Sequence, residues 1–215
     1  MKYKITVFDM DGTILNTLDD LKDSLNFTLD HFGYPKRTLE EVRRFVGNGI
    51  MKLIERGVPA GTSEEKIKEA YSFFIEYYSA HCADKTKPYT GITELLKKLR
   101  KDGIKTAVVS NKADIAVKEL CDKYFKGLFD ISIGEREGVR RKPAPDSVNE
   151  VLNQLGFSRE EAVYIGDSDV DVETAKNADM VCIGVEWGFR DRELLIEKGA
   201  DYIVSDTEEL YKLLK

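Results

Sequence analysis

The sequence predicts an α/β fold in which helices cover a parallel β-sheet and an all-helical domain is inserted after the first strand. Short apolar runs alternate with segments of helical periodicity through most of the chain, a pattern typical of a Rossmann-like parallel sheet. Residues 16–85 interrupt this alternation, because they show helical periodicity and no strand pattern. Polar and acidic residues directly follow several apolar runs, which is where such sheets bind their ligands.

The first strand is predicted at residues 3–8, because this apolar run suits a strand that is buried on both faces. The inserted segment opens with an apolar stripe of helical spacing, formed by Leu18, Leu21, Leu25, Leu29 and Phe32. Thr38 and Glu41 have the spacing of a capping box at the start of a further helix. A later aromatic stripe is interpreted as packing rather than as a substrate platform, and it comprises Ile67, Ala70, Tyr71, Phe74 and Tyr78.

Five further strands are predicted after the insertion, at residues 104–109, 129–133, 162–165, 180–185 and 202–204. Three amphipathic helices are predicted beside them, with the apolar stripes Ile92, Leu95, Leu96 and Leu99; Ala113, Val117, Leu120, Cys121 and Tyr124; and Val148, Val151, Leu152 and Leu155. Gly103 and Gly156 end the first and third of these helices. The pattern therefore divides the chain into an α/β core of residues 1–15 and 86–215 and an inserted helical domain of residues 16–85.

The composition indicates a soluble globular protein. Among 215 residues, 33 Lys and Arg stand against 39 Asp and Glu, and the net charge of −6 argues against a nucleic-acid-binding face. No apolar run approaches the roughly 18 residues that cross a bilayer, so no membrane contact is expected. Cys82, Cys121 and Cys182 form no metal-binding pair and are expected to be free thiols in a reducing compartment. We therefore expect a cytoplasmic protein, with a monomer as the default state.

Two carboxylates stand at the predicted carboxyl end of the first strand, in the motif DMDGT at residues 9–13. Residues two apart on an extended strand point the same way, so Asp9 and Asp11 are predicted to face one site. Two like charges held together are unfavourable unless a cation joins them or one of them is protonated. The pair therefore indicates a metal site, an acid/base role or both, and a solvated Asp-Gly turn is the alternative for this motif alone.

Three further motifs follow predicted strands or precede predicted helices. Ser110 and Asn111 lie between a strand and a helix, where an anion site and a plain helix cap would both fit. Lys142 lies in a basic segment stiffened by two prolines, which suits an anion site or a solvated turn. Asp167 and Asp171 follow another strand, where a helix N-cap with a favourable charge is the alternative. Because all four motifs are predicted at the same rim of the sheet, we interpret them as one site.

With these motifs in this order, the chain resembles the haloacid dehalogenase superfamily over its full length. DMDGT at residues 9–13 matches the first family motif, Ser110 the second, Lys142 the third, and Asp167 with Asp171 the fourth. The inserted helices resemble the α-helical cap of the subgroup that includes phosphoglycolate phosphatases, pyrophosphatases and β-phosphoglucomutases.

Three short segments are most similar to phosphoglycolate phosphatases: FVGNG at residues 45–49, PYTG at 88–91 and GVEWG at 184–188. Asn16 and Thr17 depart from the Asp-Ser that many relatives carry at this position, which is the predicted cap hinge. The resemblance therefore implies a phosphoric monoester hydrolase of the phosphoglycolate phosphatase type that acts on a small phosphorylated metabolite.

The resemblance also implies a mechanism. Asp9 would attack the phosphorus atom and form an aspartyl-phosphate, while Asp11 would donate a proton to the leaving group and later activate water. The resemblance implies Mg²⁺ as the cofactor, held by Asp9, by the backbone carbonyl of Asp11 and by Asp167. Asp171 would hold a coordinating water or Lys142.

The phosphoryl oxygens would be bound by Ser110, Asn111 and Lys142, which stabilise the charge of the transferring group. In the cap, Arg44 or Asn48 could contact a substrate carboxylate, with a surface ion pair as the alternative for Arg44. His31 and His81 are given no catalytic role, and Trp187 is interpreted as structural.

Several alternatives stay open. A phosphomutase of the β-phosphoglucomutase type differs only in the acceptor of the phosphoryl group, and a pyrophosphatase of the same superfamily shares the motifs. A halide-removing dehalogenase has no need of Asp11 or of the acidic pair Asp167 and Asp171. A phospho-aspartate switch needs no inserted cap, and a binding-only homologue would not need every catalytic position that this chain retains.

Overall fold

The computed structural model describes residues 2–215 and contains a six-stranded parallel sheet with helices. The strands are β1 (Ile5–Phe8), β2 (Leu15–Asn16), β3 (Lys87–Pro88), β4 (Lys105–Ala113), β5 (Ile131–Glu135), β6 (Ala162–Gly166), β7 (Val181–Val185) and β8 (Tyr202–Val204). The α-helices are α1 (Leu18–His31), α2 (Leu39–Phe45), α3 (Ile50–Gly57), α4 (Glu64–His81), α5 (Ile92–Lys101), α6 (Asp114–Phe125), α7 (Asp146–Leu155), α8 (Asp169–Asn177), α9 (Arg192–Lys198) and α10 (Thr207–Leu214).

The chain forms two units. The core unit comprises the chain up to Leu15 together with Pro88–Lys215, and the helical unit comprises Asn16–Lys87. The chain passes from one unit to the other through the short strands β2 and β3. The predicted cap of residues 16–85 makes up most of the helical unit, and its action as a cap stays a prediction.

The sheet of the core unit has the order β5-β4-β1-β6-β7-β8, and all its strands are parallel. The central strand β1 lies between β4 and β6, with Phe8 beside Val108 and Ile165. The order of the strands along the chain reverses at this point, so the carboxyl ends of β1, β4 and β6 meet at a topological switch point. The predicted α/β class and all six predicted strands are confirmed.

The core is built from strands that are buried on both faces and from apolar helix stripes. All four residues of β1 and all five of β6 are buried. On one side of the sheet, Val148, Val151 and Leu152 of α7 pack in the same hydrophobic cluster as Val172 and Ala175 of α8. This packing holds the helices that follow the site motifs against the sheet.

Strand β4 is longer than the sequence predicted. It continues past Val109 to Ala113, and its pairing with β5 is irregular between these two residues. Gly134 of β5 permits the close approach, because a Cβ atom there would lie 2.5 Å from the carbonyl oxygen of Lys112. The predicted strand end at Val109 is therefore wrong, and Ser110 and Asn111 lie within the strand rather than after it.

In the helical unit, α1 packs against α4 through the predicted stripes. Leu25 and Leu29 of α1 and Phe74 of α4 are fully buried, which confirms the packing interpretation of these side chains. The capping box at α2 is also confirmed, since the Glu41 N–H donates to Thr38 Oγ1 and the Thr38 N–H donates to Glu41 Oε2. The packing of α1 and α4 and the capping box of α2 therefore agree with the sequence patterns.

Cys82, Cys121 and Cys182 are buried free thiols, as predicted. Burial raises the pKa of Cys121 to about 11, which keeps its thiol protonated and unreactive. Within residues 2–215, no helix combines the length and the apolarity that crossing a membrane would need.

Candidate active site

The site lies in the core unit at the carboxyl ends of the central strands. Asp9 directly follows β1, and its N–H donates to the Ile165 carbonyl of β6 at 2.9 Å. The chain then turns at Gly12, whose φ of 90° lies in the left-handed region that favours glycine. The parallel register of β1 with β4 and β6 therefore determines which residues surround Asp9.

Lys142 lies at the centre of the site. Its Nζ atom is 2.7 Å from Asp9 Oδ1, 2.8 Å from Asp171 Oδ1 and 2.9 Å from the Tyr164 hydroxyl. Only 4% of its side chain is exposed. Burial lowers the pKa of this ammonium, but the charges of Asp171 and Asp9 outweigh burial and raise it well above the ordinary value. Lys142 is therefore a permanent positive charge in this site.

Asp171 holds Lys142 in place. Its Oδ1 accepts from Lys142, and its Oδ2 accepts from the Ser168 hydroxyl at 2.6 Å and from the backbone N–H groups of Ser168 and Asp167. The side chain is completely buried. Of the two arrangements expected for Asp171, the structure shows the one in which it binds Lys142.

Asp167 is held on both carboxylate oxygens. Its Oδ1 accepts from the Thr13 hydroxyl at 2.9 Å, and its Oδ2 accepts from the Phe189 N–H at 2.7 Å. Burial, together with the charges of Asp171 and Asp9, raises the pKa of Asp167 well above its usual range. The two hydrogen bonds thus fix the position of the carboxylate.

The acidic side chains form a cluster that suits a divalent cation. Carboxylate oxygens of Asp9, Asp167 and Asp171 lie within 4.8 Å of one another, and all three residues are buried. Burial raises the pKa of Asp9 to about 7 even though Lys142 opposes this change. Because Asp171 is already bonded to Lys142 and to its own helix start, Asp9 and Asp167 are the carboxylates suited to a metal ion. A hard oxygen-binding cation such as Mg²⁺ fits this donor set.

Asp11 does not join this cluster with its carboxylate. Both of its oxygens lie 3.2 Å from the Nζ atom of Lys112, whose side chain is only 3% exposed. None of the four motifs predicted from the sequence includes Lys112. It could have been found because Lys112 lies two residues after Ser110 and therefore on the same side of the strand.

The predicted phosphate-binding residues lie close to one another. Ser110, Asn111 and Lys142 line a small cavity that is also lined by arginines 136, 140 and 141. The Asn111 side chain exchanges two hydrogen bonds with the Lys142 backbone, at 3.1 Å to its carbonyl and 2.9 Å from its N–H. The amide of Asn111 therefore positions Lys142, and its contact with phosphate stays a prediction.

Two residues of the helical unit are candidates for contact with a substrate carboxylate. Arg44 is 74% exposed and forms an ion pair with Glu40, which is the surface pair that the sequence analysis gave as the alternative. The Asn48 side-chain carbonyl accepts from Arg56 at 2.8 Å. Arg56 also donates to the Phe45 carbonyl, so its two hydrogen bonds stabilise the segment between α2 and α3.

Besides Lys112, three residues that contact the site were not predicted from the sequence. The Tyr164 hydroxyl donates to the Val109 carbonyl at 3.3 Å and contacts Lys142. In the sequence, Tyr164 is only one residue of an apolar strand pattern. Thr13 and Phe189 hold Asp167. Thr13 belongs to the first motif and could have been included, whereas the backbone contact from Phe189 leaves no sequence signal.

Comparison with known proteins places the chain among enzymes of one family. The model of the haloacid dehalogenase-like hydrolase family matches residues 6–185. The chain is 30% identical to phosphoglycolate phosphatase 1 of Pseudomonas aeruginosa, over 96% of this chain and 78% of that protein. It is 33% identical to a candidate pyrophosphatase of Caldanaerobacter subterraneus, over 100% of this chain and 96% of that protein.

The fold is also similar to solved structures. The crystal structure of a candidate phosphoglycolate phosphatase from Lactobacillus delbrueckii has a TM-score of 0.95 and 38% sequence identity to this chain. The match covers 100% of this chain and 99% of that one.

Proposed function

The chain belongs to the haloacid dehalogenase-like hydrolase family, and from this premise we propose that it is a Mg²⁺-dependent phosphatase. In this proposal the enzyme hydrolyses a small phosphomonoester through an aspartyl-phosphate formed on Asp9. The observation that carries the proposal is the contact of the Lys142 ammonium with Asp9, 2.7 Å away, inside a buried cluster of three carboxylates. A nucleophile beside a fixed positive charge is the arrangement that phosphoryl transfer requires.

In the first step, an Asp9 carboxylate oxygen attacks phosphorus, and the bond from phosphorus to the ester oxygen breaks. Asp11 donates a proton to the leaving alkoxide. The negative charge of the phosphoryl oxygens is stabilised by Lys142 and by the hydroxyl of Ser110. Support for these roles comes from the position of Asp9 at the end of β1 and from the buried position of Ser110 at the neighbouring strand.

In the second step, water attacks the aspartyl-phosphate and Asp11 accepts a proton from it. The bond between phosphorus and the Asp9 oxygen breaks, which releases inorganic phosphate and restores the carboxylate. Mg²⁺, bound by Asp9, Asp167 and the backbone carbonyl of Asp11, would neutralise the repulsion between the nucleophile and the phosphate. Asp11 must separate from Lys112 to act, because the two are paired in this structure.

For the substrate, we propose 2-phosphoglycolate. A curated relative named phosphoglycolate phosphatase is 30% identical over nearly the whole chain. Pyrophosphate is the second candidate, because another relative of similar identity is named for that activity. A phosphomutase activity would use the same site with a sugar phosphate in place of water as the acceptor.

The test is release of inorganic phosphate from a panel of 2-phosphoglycolate, pyrophosphate, hexose phosphates and nucleoside monophosphates, each with Mg²⁺ and with chelator. We expect 2-phosphoglycolate to lead by more than about tenfold in kcat/KM, equivalent to about 1.4 kcal/mol of discrimination in the transition state. Mg²⁺-dependent release that is equal across the panel would retain the phosphatase and reject this substrate. Phosphoryl transfer between sugar phosphates without phosphate release would favour the mutase.

A further inference from the structure

We propose that Trp187 is a positioning residue for the metal site, because it connects the two groups that hold the Asp167 carboxylate. The inference rests on the proposed function, in which Asp167 is a metal ligand. It concerns the loop between β7 and α9, where the sequence favours a structural role for Trp187.

The two oxygens of Asp167 are held from two separate parts of the chain. Thr13, in the loop after β1, donates its hydroxyl to Oδ1, and Phe189, in the loop after β7, donates its N–H to Oδ2. A carboxylate with one donor on each oxygen cannot rotate freely about its Cβ–Cγ bond. Each oxygen still has a second lone pair, so both remain able to bind a cation.

Trp187 joins these two donors. Its indole Nε1–H donates to the Thr13 carbonyl at 3.0 Å, and it precedes Phe189 by two residues. The indole therefore ties the loop after β7 to the residue whose hydroxyl holds Oδ1. Loss of this bond would loosen both donors to Asp167 at once.

The packing around Asp167 leaves little room for adjustment. A Cβ atom on Gly188 would lie 2.2 Å from the Asp167 Cβ, and one on Gly12 would lie 2.3 Å from Asp167 Oδ2. Both distances are far below van der Waals contact, so the backbones of the two loops enclose the carboxylate. Asp167 is thus held by steric contact as well as by hydrogen bonds. The hydrogen bond of Trp187 to Thr13 links the loop after β7 to the loop after β1.

A metal ligand that is already oriented loses less freedom on binding the ion. Hydrogen-bond partners of metal ligands typically change metal affinity or activity by about 10–100-fold when they are removed. Trp187 acts one residue further away, through Thr13, so we expect an effect of about tenfold, at the lower end of this range.

The experiment measures Mg²⁺ binding by titration calorimetry, together with the thermal midpoint of the metal-free protein. Trp187→Phe keeps an aromatic ring and removes the indole donor. Tyr211→Phe is the matched control, because it also removes one aromatic donor bond, to Asp102 in the core unit, away from the acidic cluster. We expect Trp187→Phe to raise the Kd of Mg²⁺ about tenfold and Tyr211→Phe to leave it within twofold of wild type.

A second variant keeps the test informative if Trp187→Phe folds poorly. Thr13→Val has nearly the same shape and removes the hydroxyl that holds Oδ1, so its Kd for Mg²⁺ should also rise. If Trp187→Phe lowers the thermal midpoint as Tyr211→Phe does and leaves Mg²⁺ affinity unchanged, Trp187 is structural only and the inference is wrong. If the wild-type protein itself binds no Mg²⁺, the metal in the proposed function fails, and the inference fails with it.

The wild-type protein offers an independent readout, because Trp187 is its single tryptophan. We expect Mg²⁺ to change the tryptophan emission with the same Kd as calorimetry gives. In Asp167→Asn, calorimetry should show weakened binding and the emission change should shift to higher Mg²⁺ concentration. If Mg²⁺ binds in calorimetry but leaves the tryptophan emission unchanged, the coupling between Trp187 and the metal site is contradicted.

Discussion

The ammonium of Lys142 is a residue-scale example of a buried charge that its surroundings make favourable. Removing one partner of a buried ion pair typically destabilises a protein by about 3–5 kcal/mol, because the remaining charge is left uncompensated. In the intact site, two carboxylates compensate the Lys142 charge, and its Nζ atom also contacts the Tyr164 hydroxyl. The Asn111 amide binds the backbone of Lys142. The residue is therefore fixed before any substrate arrives, which lowers the reorganisation that charge stabilisation would need.

At the same scale, Asp9→Asn is expected to lower kcat by at least about 10³-fold, because an amide cannot act as the nucleophile. The thermal midpoint should change little, because Asp171 still compensates the Lys142 charge and the Asn side-chain oxygen can still accept from Lys142. Phosphate release and thermal unfolding check both parts. The control is Asp122→Asn on an exposed position of α6, which should match wild type. A residual rate within tenfold of wild type would remove Asp9 as the nucleophile.

At the scale of elements, the sheet brings the site residues together through strand register. Phe8, Val108 and Ile165 are neighbours across β4, β1 and β6, so the segments that follow them meet at one edge. The continuation of β4 to Ala113 adds Ser110 and Lys112 to this edge. Gly134 makes the continuation sterically acceptable, and its N–H donates to Asp114 Oδ1 at 2.9 Å. The edge of the site thus depends on a glycine in the neighbouring strand.

The start of β5 depends on Asp130, whose Oδ1 accepts from Lys105 at 2.7 Å and whose Oδ2 accepts from the Thr106 N–H at 3.1 Å. Burial raises the pKa of Asp130, but these hydrogen bonds and the nearby charges outweigh it, so its pKa lies below the ordinary 3.8. A carboxyl with a depressed folded-state pKa contributes stability above its unfolded pKa, and that contribution is lost as the pH falls through the folded value.

We therefore expect Asp130→Asn to reduce the free energy of unfolding by about 1.5–3 kcal/mol at pH 7, as charged hydrogen bonds are lost. The difference from wild type should shrink once the pH falls below 3.8. Urea unfolding at a series of pH values checks this, with Asp122→Asn as the control for loss of one exposed charge. A difference that is the same at pH 7 and at the acid end would show that the ionised form of Asp130 contributes nothing.

At the scale of the whole molecule, two units are combined in one chain, and the proposed chemistry lies entirely in the core unit. The helical unit has its own buried core of α1 and α4 and its own hydrogen bonds. Two of these bonds connect the start of α1 to the segment before β3, since the Asp20 carboxylate accepts from the N–H groups of Lys85 and Thr86. These contacts lie within the helical unit, and the acidic cluster lies within the core unit.

Metal dependence is a prediction about the whole molecule, because an ion that binds only the folded state stabilises all of it. At a Mg²⁺ concentration of 100 times Kd, the free energy of unfolding should rise by about 2.7 kcal/mol. For a chain of this size, this corresponds to roughly 5–10 °C in the thermal midpoint. Scanning calorimetry with Mg²⁺ and with excess chelator measures the shift, with Asp167→Asn as the variant that should lose it. Full phosphatase activity in excess chelator would reject the metal assignment.

Much of the fold and the membership of the site could be predicted from the sequence, because both depend on local patterns. Apolar runs of strand length predicted all six strands of the main sheet, and glycines after amphipathic stripes predicted helix ends such as Gly156. The rule that ligands bind at the carboxyl ends of parallel strands then brought Asp9, Lys142 and Asp167 to one site. Their proximity in the structure agrees with that expectation, and their catalytic roles remain to be tested.

The pairing of side chains was decided only by the tertiary structure. The sequence does not show that the Asn111 amide holds the Lys142 backbone, that Lys112 pairs with Asp11, or that Trp187 bonds to the Thr13 carbonyl 174 residues earlier. The extension of β4 was missed for the same reason, since it depends on the space beside Gly134 in another strand. Periodicity and motif order are properties of neighbouring residues along the chain. Hydrogen bonds need donor–acceptor distances of about 2.7–3.2 Å, which only the packed molecule sets.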